Sequence, residues 1–281
     1  MDGLRSPIAG VITVAALVFL YVPLGVVVLF SFHSTGGLSF PFEGVSLRWY
    51  RDVFGDQGFR DALVNSTVVA IATSVVTLVL GTMAAYGLSR TASRLRAPLA
   101  ALLFVPVTLP GLFIGIALLS YFSRLQIDLS LKTVVAAHLV YVLPYFLLIA
   151  VAAFSRLDPA LEESAADLGA TPWQVFWRVT MPQVWPVLAG ATCLAFALSF
   201  DEFIITFFVI GPESTLPMFI WSGLRRTVDP SINVVSTVLM AVTILLWVVA
   251  FLFTVRAGRR TMDGGLGALT GAGGRSEAGA A

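Results

Sequence analysis

The fold is decided by uncharged segments such as residues 62–88, which read ALVNSTVVAIATSVVTLVLGTMAAYGL. Asp61 and Arg90 flank this segment, and none of the 28 residues between them carries a formal charge. A helix of about 20 apolar residues crosses the hydrocarbon core of a bilayer, because each residue advances the helix by about 1.5 Å. Residues 62–88 are therefore long enough to form a membrane-spanning helix.

Five further segments share this character. The uncharged intervals hold 27 residues after Arg5, 27 after Arg96, 23 after Lys132, 22 after Arg178 and 26 after Asp229. The first interval exceeds the apolar region of a signal peptide and lacks a small-residue cleavage site, so we expect it to be retained. The sequence predicts an all-α polytopic membrane protein with six spanning helices, near residues 8–31, 62–88, 97–121, 133–154, 184–209 and 233–255.

Composition excludes several other classes of protein. Of the 281 residues, 58% are hydrophobic and 12% are charged, whereas a soluble domain carries about 25% charged residues. The 17 basic and 16 acidic residues nearly balance, so no basic surface for nucleic acid is indicated. A single cysteine, Cys193, excludes a disulfide within the chain and a cysteine-rich metal site.

The common catalytic motifs are missing from the sequence. The only lysine, Lys132, follows Leu131, so the chain contains no Gly-Lys-Ser/Thr phosphate-binding loop. Its two histidines, His33 and His138, do not form a zinc motif, and no Gly-x-Ser-x-Gly turn is present. We expect His138 either to pack between helices or to lie at the membrane interface. The chain itself is therefore expected to be neither an enzyme nor a cofactor-binding protein.

Basic residues indicate how the chain is oriented. Residues 89–96 hold three arginines and no acid, and residues 256–260 hold three more arginines. By the positive-inside rule both segments are cytoplasmic, and so are both termini of a six-span protein. The Gly- and Ala-rich residues 261–281 show no apolar period and predict a flexible cytoplasmic tail.

The loop between the fourth and fifth spans contains the signals of a short helix. Asp158 is an N-cap acceptor, and Pro159 suits the first helical position. Glu162 and Glu163 follow in or near the first turn, where the helix dipole favours acids. Gly169 is suited to a left-handed stop. We therefore expect the loop to begin with a helix that ends before this glycine.

A second short helix is predicted in the same loop, residues 155–182. Thr171 and Gln174 stand at capping-box spacing, and Pro182 is expected to end this helix before the fifth span. The two helices would lie at the cytoplasmic surface, either as a plain connector or as a docking site. They would present small residues that another protein can approach closely: Ser164, Ala165, Ala166, Gly169 and Ala170.

This loop resembles the signature of a known family. Glu-Ser-Ala at 163–165, Gly169 after three residues, and Val-Thr-Met-Pro at 179–182 after nine more are similar to Glu-Ala-Ala…Gly…Ile-x-Leu-Pro. That signature marks the permease subunits of binding-protein-dependent ABC importers. Serine, valine and methionine replace alanine, isoleucine and leucine of the signature, and each replacement keeps the small or apolar character.

The resemblance implies the MetI-like permease fold of type I ABC importers over residues 1–260. In this family the loop docks into a cleft on a cytoplasmic ATPase dimer, which binds ATP and Mg²⁺ and whose closure moves the helices. The resemblance therefore assigns ATPase coupling to a set of loop residues: Glu162, Glu163, Ser164, Ala165, Ala166, Gly169, Ala170, Thr171, Pro172, Val179, Met181 and Pro182.

Two adjacent acids in the fifth span suggest where a substrate passes. Asp201 and Glu202 are the only charges between Val179 and Pro212. An ionisable residue at membrane depth is costly and is a functional candidate by default. Adjacent residues point about 100° apart on a helix of 3.6 residues per turn, so one acid can face a pathway while the other faces a neighbour. The alternative is a structural ion pair or a helix-end cap.

Four segments resemble the C-type permeases of spermidine/putrescine transporters: residues 161–170, 199–202, 209–212 and 216–217. Members of that group carry an acidic pair at the corresponding place, so the resemblance implies a polyamine, a small polycation. Related permeases move iron(III), thiamine, sulfate or opine-like compounds, and these substrates stay open alternatives. The residues assigned to the substrate pathway are Asp201, Glu202 and Phe203.

The resemblance also implies an assembly in the bacterial inner membrane. Such importers combine two permease subunits, usually different chains, with two ATPases and one extracytoplasmic binding protein. The outer segments 32–61 and 211–230 would meet that binding protein, although their aromatic residues suit a membrane interface equally well. An ion-coupled secondary transporter is the less favoured alternative, because we find no paired interruption of spans in the two halves of the sequence.

Overall fold

The computed structural model of this chain describes residues 7–36, 42, 44–91, 94–225 and 230–273. Across these residues the regular structure is helical, apart from one isolated bridge between His33 and Val45. The helices are α1 (Pro7–Ser31), α2 (Arg48–Gly55), α3 (Gln57–Arg90), α4 (Arg96–Thr108), α5 (Gly111–Arg124), α6 (Leu131–Ser155), α7 (Pro159–Asp167), α8 (Pro172–Val175), α9 (Met181–Phe200), α10 (Ile204–Val209), α11 (Leu216–Leu224) and α12 (Pro230–Gly273). A π-helical segment, Phe176–Thr180, joins α8 to α9.

The chain is a multi-pass membrane protein. Five stretches of helix in the described part of the chain are long and apolar enough to cross a bilayer, and a sixth is present if α4 and α5 count as one bent span. All six predicted spans therefore coincide with helical segments, although two of them are not continuous.

The third predicted span, residues 97–121, is broken. The axes of α4 and α5 differ by 103° across a break of two residues. Pro110 occupies this break, and Leu109 before it adopts an extended backbone with φ −94° and ψ 131°. Proline has no amide proton and disfavours the helical conformation of the preceding residue. Pro110 therefore divides the predicted span into two helices.

The fifth predicted span, residues 184–209, has different limits. Helical backbone runs continuously over Pro172–Phe200, stops at Asp201, and resumes in α10. Pro182 does not end the second loop helix as predicted. The Met181 amide donates to the Phe176 carbonyl, a π-type bond. This wider turn accommodates a proline, whose ring clashes with the preceding carbonyls of a regular α-helix.

The last helix extends past the sixth predicted span. Its backbone stays helical to Gly273, so helical structure covers the first part of the segment predicted as a flexible tail. No proline follows Pro230, and extending an existing helix is far easier than nucleating a new one. Residues 274–281 of the predicted tail lie outside the described residues.

The chain divides into two compact units. One comprises residues 1–66 and 214–242, and the other comprises residues 67–213 and 243–281. Within the first, the Phe59 side chain is fully buried and its ring packs against Phe219 with centroids 6.0 Å apart. The Ser66 hydroxyl also accepts a hydrogen bond from the Leu216 amide at 2.8 Å. These contacts hold α11 against the start of α3.

The second unit is built around α6. This helix packs against α9 and also contacts α4, α5 and α10. Its core includes Phe146, Phe154 and Leu188, which are almost completely buried. Gly81 of α3 allows close packing here, because a Cβ at this position would lie 2.5 Å from the Phe146 ring. The second unit carries both candidate functional regions.

Candidate functional site

The first region is the loop between α6 and α9. Its first helix, α7, begins as predicted: the Asp158 carboxylate accepts a hydrogen bond from the Ala160 amide at 3.0 Å, and Pro159 occupies the first turn. The acceptor satisfies one of the amides left unpaired at a helix start. The local sequence alone therefore fixes where α7 begins.

The end of α7 also agrees with the prediction. Gly169 has φ +86°, and its amide donates to the Ala166 carbonyl at 2.8 Å. The Ala170 amide donates to the Ala165 carbonyl at 3.1 Å, which completes a Schellman motif. A Cβ on Gly169 would meet nothing within 4 Å. The positive φ, and not crowding, is therefore what favours glycine at this turn.

A capping box starts the second loop helix. The Thr171 amide donates to the Gln174 side chain at 2.9 Å, and the Gln174 amide donates to the Thr171 hydroxyl at 3.4 Å. This reciprocal pair satisfies two amides at the beginning of α8. The predicted helix–turn–helix is confirmed, and α7 packs against α8 and the π-helical segment.

The structure separates the predicted coupling residues by exposure. Ala165, Ala170 and Val179 are half-buried, and Met181 is buried in the core of the second unit. Met181 is therefore anchored inside the protein and is not available to a docking partner. The residues that lie exposed on the loop surface are Glu163, Ser164, Ala166, Gly169, Thr171, Pro172 and Pro182.

Large apolar side chains accompany these residues on the loop surface. Leu168 is 90% exposed and Trp173 is 70% exposed, and Leu161 and Trp177 are exposed as well. None of these four side chains is among the residues predicted to couple to an ATPase. Large exposed apolar side chains that lie together are typical of protein or membrane contacts. Their position beside the Gly169 turn is the signal that could have identified them.

Glu162 differs from the other acids of α7. Its Oε1 atom lies 2.6 Å from Nη2 of Arg90, at the end of α3. The Thr180 hydroxyl donates to the same carboxylate oxygen at 2.7 Å. Although the sequence grouped Glu162 with Glu163, the structure turns Glu162 toward the protein and leaves Glu163 exposed.

The second region is the break between α9 and α10. Glu202 accepts hydrogen bonds from the amides of Ile205 and Thr206, both at 2.9 Å. Its carboxylate therefore satisfies amides at the start of α10. Of the two readings proposed for the acidic pair, the helix-end cap describes Glu202. Asp201, by contrast, is an exposed residue at the end of α9.

His138 of α6 fastens this break from the other side. Its Nδ1 lies 2.8 Å from the Ser199 hydroxyl, and its Nε2 lies 2.8 Å from the Thr206 hydroxyl. The Glu202 carboxylate is 3.6 Å from Nε2. Only 1% of His138 is exposed, so it packs between helices, the first of the two predicted positions. Its hydrogen-bond partners lie 61 and 68 residues away, and no local sequence signal identifies them.

A cavity of about 450 Å³ opens beside Asp201. Its wall includes the aromatic side chains of Tyr141, Phe203 and Trp247. Thr243 also lines the cavity, and its buried hydroxyl has no hydrogen-bond partner among the described residues. Aromatic faces attract organic cations, and a carboxylate can pair with an ammonium group. The cavity therefore combines the groups that a small organic cation requires.

The described residues show no metal site. Within residues 7–36, 42, 44–91, 94–225 and 230–273, no three histidine, cysteine or acidic side chains are grouped closely enough to hold a metal ion.

Comparison with known sequences yields one family. Residues 77–263 match the profile of the "Binding-protein-dependent transport system inner membrane component" family. The putrescine transport system permease protein PotI of Escherichia coli K12 is 33% identical over 262 residues, which cover 90% of this chain and 92% of PotI. The spermidine/putrescine transport system permease protein PotC of the same strain is 27% identical over 83% of this chain and 88% of PotC.

Solved structures agree on the fold. A chain of a bacterial alginate ABC transporter superposes with a TM-score of 0.64 at 17% identity, covering 91% of this chain and 93% of the transporter chain. A chain of an amino acid ABC transporter gives a TM-score of 0.58, also at 17% identity, and covers 75% of this chain and all of the other.

Proposed function

The chain belongs to the family of inner membrane components of binding-protein-dependent transport systems, and we propose that this ABC importer permease carries polyamines of the putrescine or spermidine type. Like its relatives it is a transport subunit and not an enzyme. The observation that supports the substrate class is the cavity beside Asp201, which is lined by two acids, Asp201 and Glu202, and by three aromatic side chains.

The chemistry of the cavity suits a diamine. An ammonium group that leaves water requires a carboxylate or an aromatic face in exchange, and Asp201 and Trp247 supply one of each. The methylene chain between two ammonium groups can pack against Leu194 and Leu198, which also line the cavity. Sulfate is disfavoured because a carboxylate repels an anion. The two relatives named above carry putrescine and spermidine/putrescine in their names.

The chain is proposed to act in an assembly. A second permease subunit of a different chain would complete the pathway, and an extracytoplasmic binding protein would deliver the substrate. A cytoplasmic ATPase dimer, carrying the ATP and Mg²⁺, would dock on α7 and α8. Both termini and this loop are then cytoplasmic, which agrees with the arginines of residues 89–96 and 256–260.

The docking surface is proposed to combine small and large side chains. Glu163, Ser164 and Gly169 are exposed and leave room for close approach. Leu168 and Trp173 add exposed apolar area next to them. Apolar side chains at the centre of an interface supply much of its binding energy, whereas small neighbours permit a close fit.

Uptake of labelled putrescine by vesicles that contain the assembled transporter tests the proposal. Wild-type uptake should require ATP inside and the loaded binding protein outside. Asp201→Asn should lower putrescine uptake by about tenfold, equivalent to about 1.4 kcal/mol, because the variant keeps the shape of the side chain and removes its charge. Asp128→Asn, an exposed acid in the loop after α5, is the matched control.

Competition by other solutes decides the substrate class. Unlabelled spermidine should compete with putrescine, and thiamine and sulfate should not. Uptake of one of these other solutes, with no competition by polyamines, would contradict the proposed substrate and leave the importer architecture intact. Unchanged putrescine uptake by Asp201→Asn would instead remove Asp201 from the pathway.

A further inference from the structure

We infer that Arg90, Glu162 and Thr180 form the joint through which movement of the docking helix α7 reaches the membrane-spanning helices. The three residues belong to α3, α7 and the π-helical segment that leads into α9. Arg90 and Glu162 are positioning residues for the coupling of ATP hydrolysis to transport. The inference rests on the proposed docking of an ATPase on α7.

The joint is a compact arrangement around one carboxylate oxygen. Oε1 of Glu162 lies 2.6 Å from Nη2 of Arg90 and 2.7 Å from the Thr180 hydroxyl. The side chains of Arg90 and Glu162 are only 26% and 17% exposed, and Thr180 is fully buried. A charge-assisted hydrogen bond is short and strong, and partial burial reduces its screening by salt.

The attachment of α7 to α3 is polar. None of its nine residues is buried, so apolar packing holds this helix only weakly. Its most extensive helix–helix contacts are with α8 and the π-helical segment, which follow it in the chain and continue into α9. In the described part of the chain, Arg90–Glu162 is the ion pair that links α7 to a span. A force on α7 would therefore reach α3 chiefly through this pair.

Aromatic packing fixes the spans on the other side of the joint. The Arg90 guanidinium lies 5.8 Å from the centroid of the Tyr86 ring. Tyr86 in turn packs edge-on against Phe154 of α6 and Phe176 of the π-helical segment, with centroids 5.5 and 5.0 Å apart. The Arg90 side chain thus lies over a ring of its own helix, and α6 and the π-helical segment hold that ring in place.

Glu163 serves the opposite purpose to Glu162. Glu163 is the next residue of α7, and its side chain is exposed. The two acids thus separate two requirements: one surface must contact the ATPase, and one side chain must transmit the displacement. Loss of a contact residue should release the ATPase, whereas loss of the joint should leave the ATPase bound but uncoupled.

This difference defines the experiment, which uses the complete transporter in vesicles with putrescine-loaded binding protein. Glu162→Gln keeps the size of the side chain and removes its charge, and Arg90→Gln removes the partner. For each we expect uptake per ATP hydrolysed to fall by about tenfold, equivalent to about 1.4 kcal/mol. The ATPase should still co-purify, and ATP hydrolysis should continue. Asp128→Asn should match the wild type.

The exchanged pair Arg90→Glu with Glu162→Arg tests the contact itself. It restores opposite charges at the same two positions, so uptake per ATP should recover at least partly relative to either single variant. The inference is overturned if the double variant inserts into the membrane and its uptake per ATP does not recover. This outcome counts even if the single variants do not assemble. Two further outcomes would also overturn it. One is that Glu162→Gln leaves uptake per ATP unchanged, and the other is that uptake is lost only when the ATPase no longer co-purifies.

The proposed function is tested by a separate outcome of the same assay. Wild-type vesicles that show no ATP-dependent uptake of putrescine would contradict the substrate or the assembly. Wild-type vesicles that transport putrescine while Glu162→Gln transports equally well per ATP would contradict only the joint.

Discussion

Asp201 and Glu202 are neighbours in the sequence and have different surroundings in the structure. Glu202 is held by two backbone amides and lies close to His138. Asp201 faces a cavity lined by aromatic side chains. The break between α9 and α10 separates them, because a carboxylate at the start of a helix turns back onto unpaired amides. Glu202 is thus bonded to the backbone at the start of α10, whereas Asp201 is exposed beside the cavity.

At the residue scale, replacement of His138 should test how much the buried network stabilises this break. His138→Ala removes the hydrogen-bond partner of the buried Ser199 hydroxyl, whereas the Thr206 hydroxyl keeps its bonds to Glu202. A buried polar group left without a partner costs about 1–3 kcal/mol. We therefore expect a lower unfolding midpoint for the purified protein in detergent.

Asp201→Asn is the matched control for that measurement. Asp201 is exposed, and exposed polar substitutions change stability by about 0.5 kcal/mol or less. Equal unfolding midpoints for His138→Ala and the wild type would show that the network does not stabilise the break.

At the scale of elements, two of the predicted spans are interrupted: α4 and α5 meet at Pro110, and α9 and α10 meet at Asp201. From the sequence we found no paired interruption in the two halves of the chain and took this as an argument against a secondary transporter. The interruptions are present, and α5 and α10 pack against each other. The family match and the relatives, and not the continuity of the spans, identify an ABC permease.

The close contact between α5 and α10 depends on a glycine of α5, Gly115. A Cβ on Gly115 would lie 2.7 Å from the Phe208 ring and 3.3 Å from the Ile205 Cα, whereas a Cβ on Gly111 would have ordinary contacts at 3.6 Å or more. Extra atoms in a packed contact cost about 1–3 kcal/mol. Gly115→Ala should therefore lower the unfolding midpoint.

Gly111→Ala provides the comparison within the same helix. It adds one methyl group at a position with room, so its unfolding midpoint should stay close to that of the wild type. A larger loss of stability in Gly111→Ala than in Gly115→Ala would contradict the packing described for α5 and α10.

At the scale of the whole molecule, the proposed orientation places the loop after α5 outside the cell and α7 inside. Asp128 and Asp167 are exposed in these two places and allow a matched comparison. In a Cys193→Ser background, a membrane-impermeant maleimide added to intact cells should label Asp128→Cys and spare Asp167→Cys. Both variants should react after the cells are opened. Labelling of Asp167→Cys in intact cells would reverse the orientation.

The spans and the limits of the loop helices could be predicted from the sequence, because they depend on residues that are neighbours in the chain. Runs of more than 20 uncharged residues identify the spans, because burial in a bilayer is a property of local composition. Asp158, Gly169 and Thr171 identify the limits of the loop helices, because capping bonds join residues within one turn. The family signature was readable for the same reason.

Which side chains face inward could be seen only in the folded structure, because their partners are distant in the sequence. Arg90 and Glu162 are 72 residues apart in the sequence, and Thr180 is 18 residues from Glu162. The exposure of Asp201 depends on where α6 and α12 place Tyr141 and Trp247 beside it. Hydrogen bonds and ion pairs join atoms that lie a few ångströms apart, and the number of residues between two side chains does not show whether they are that close.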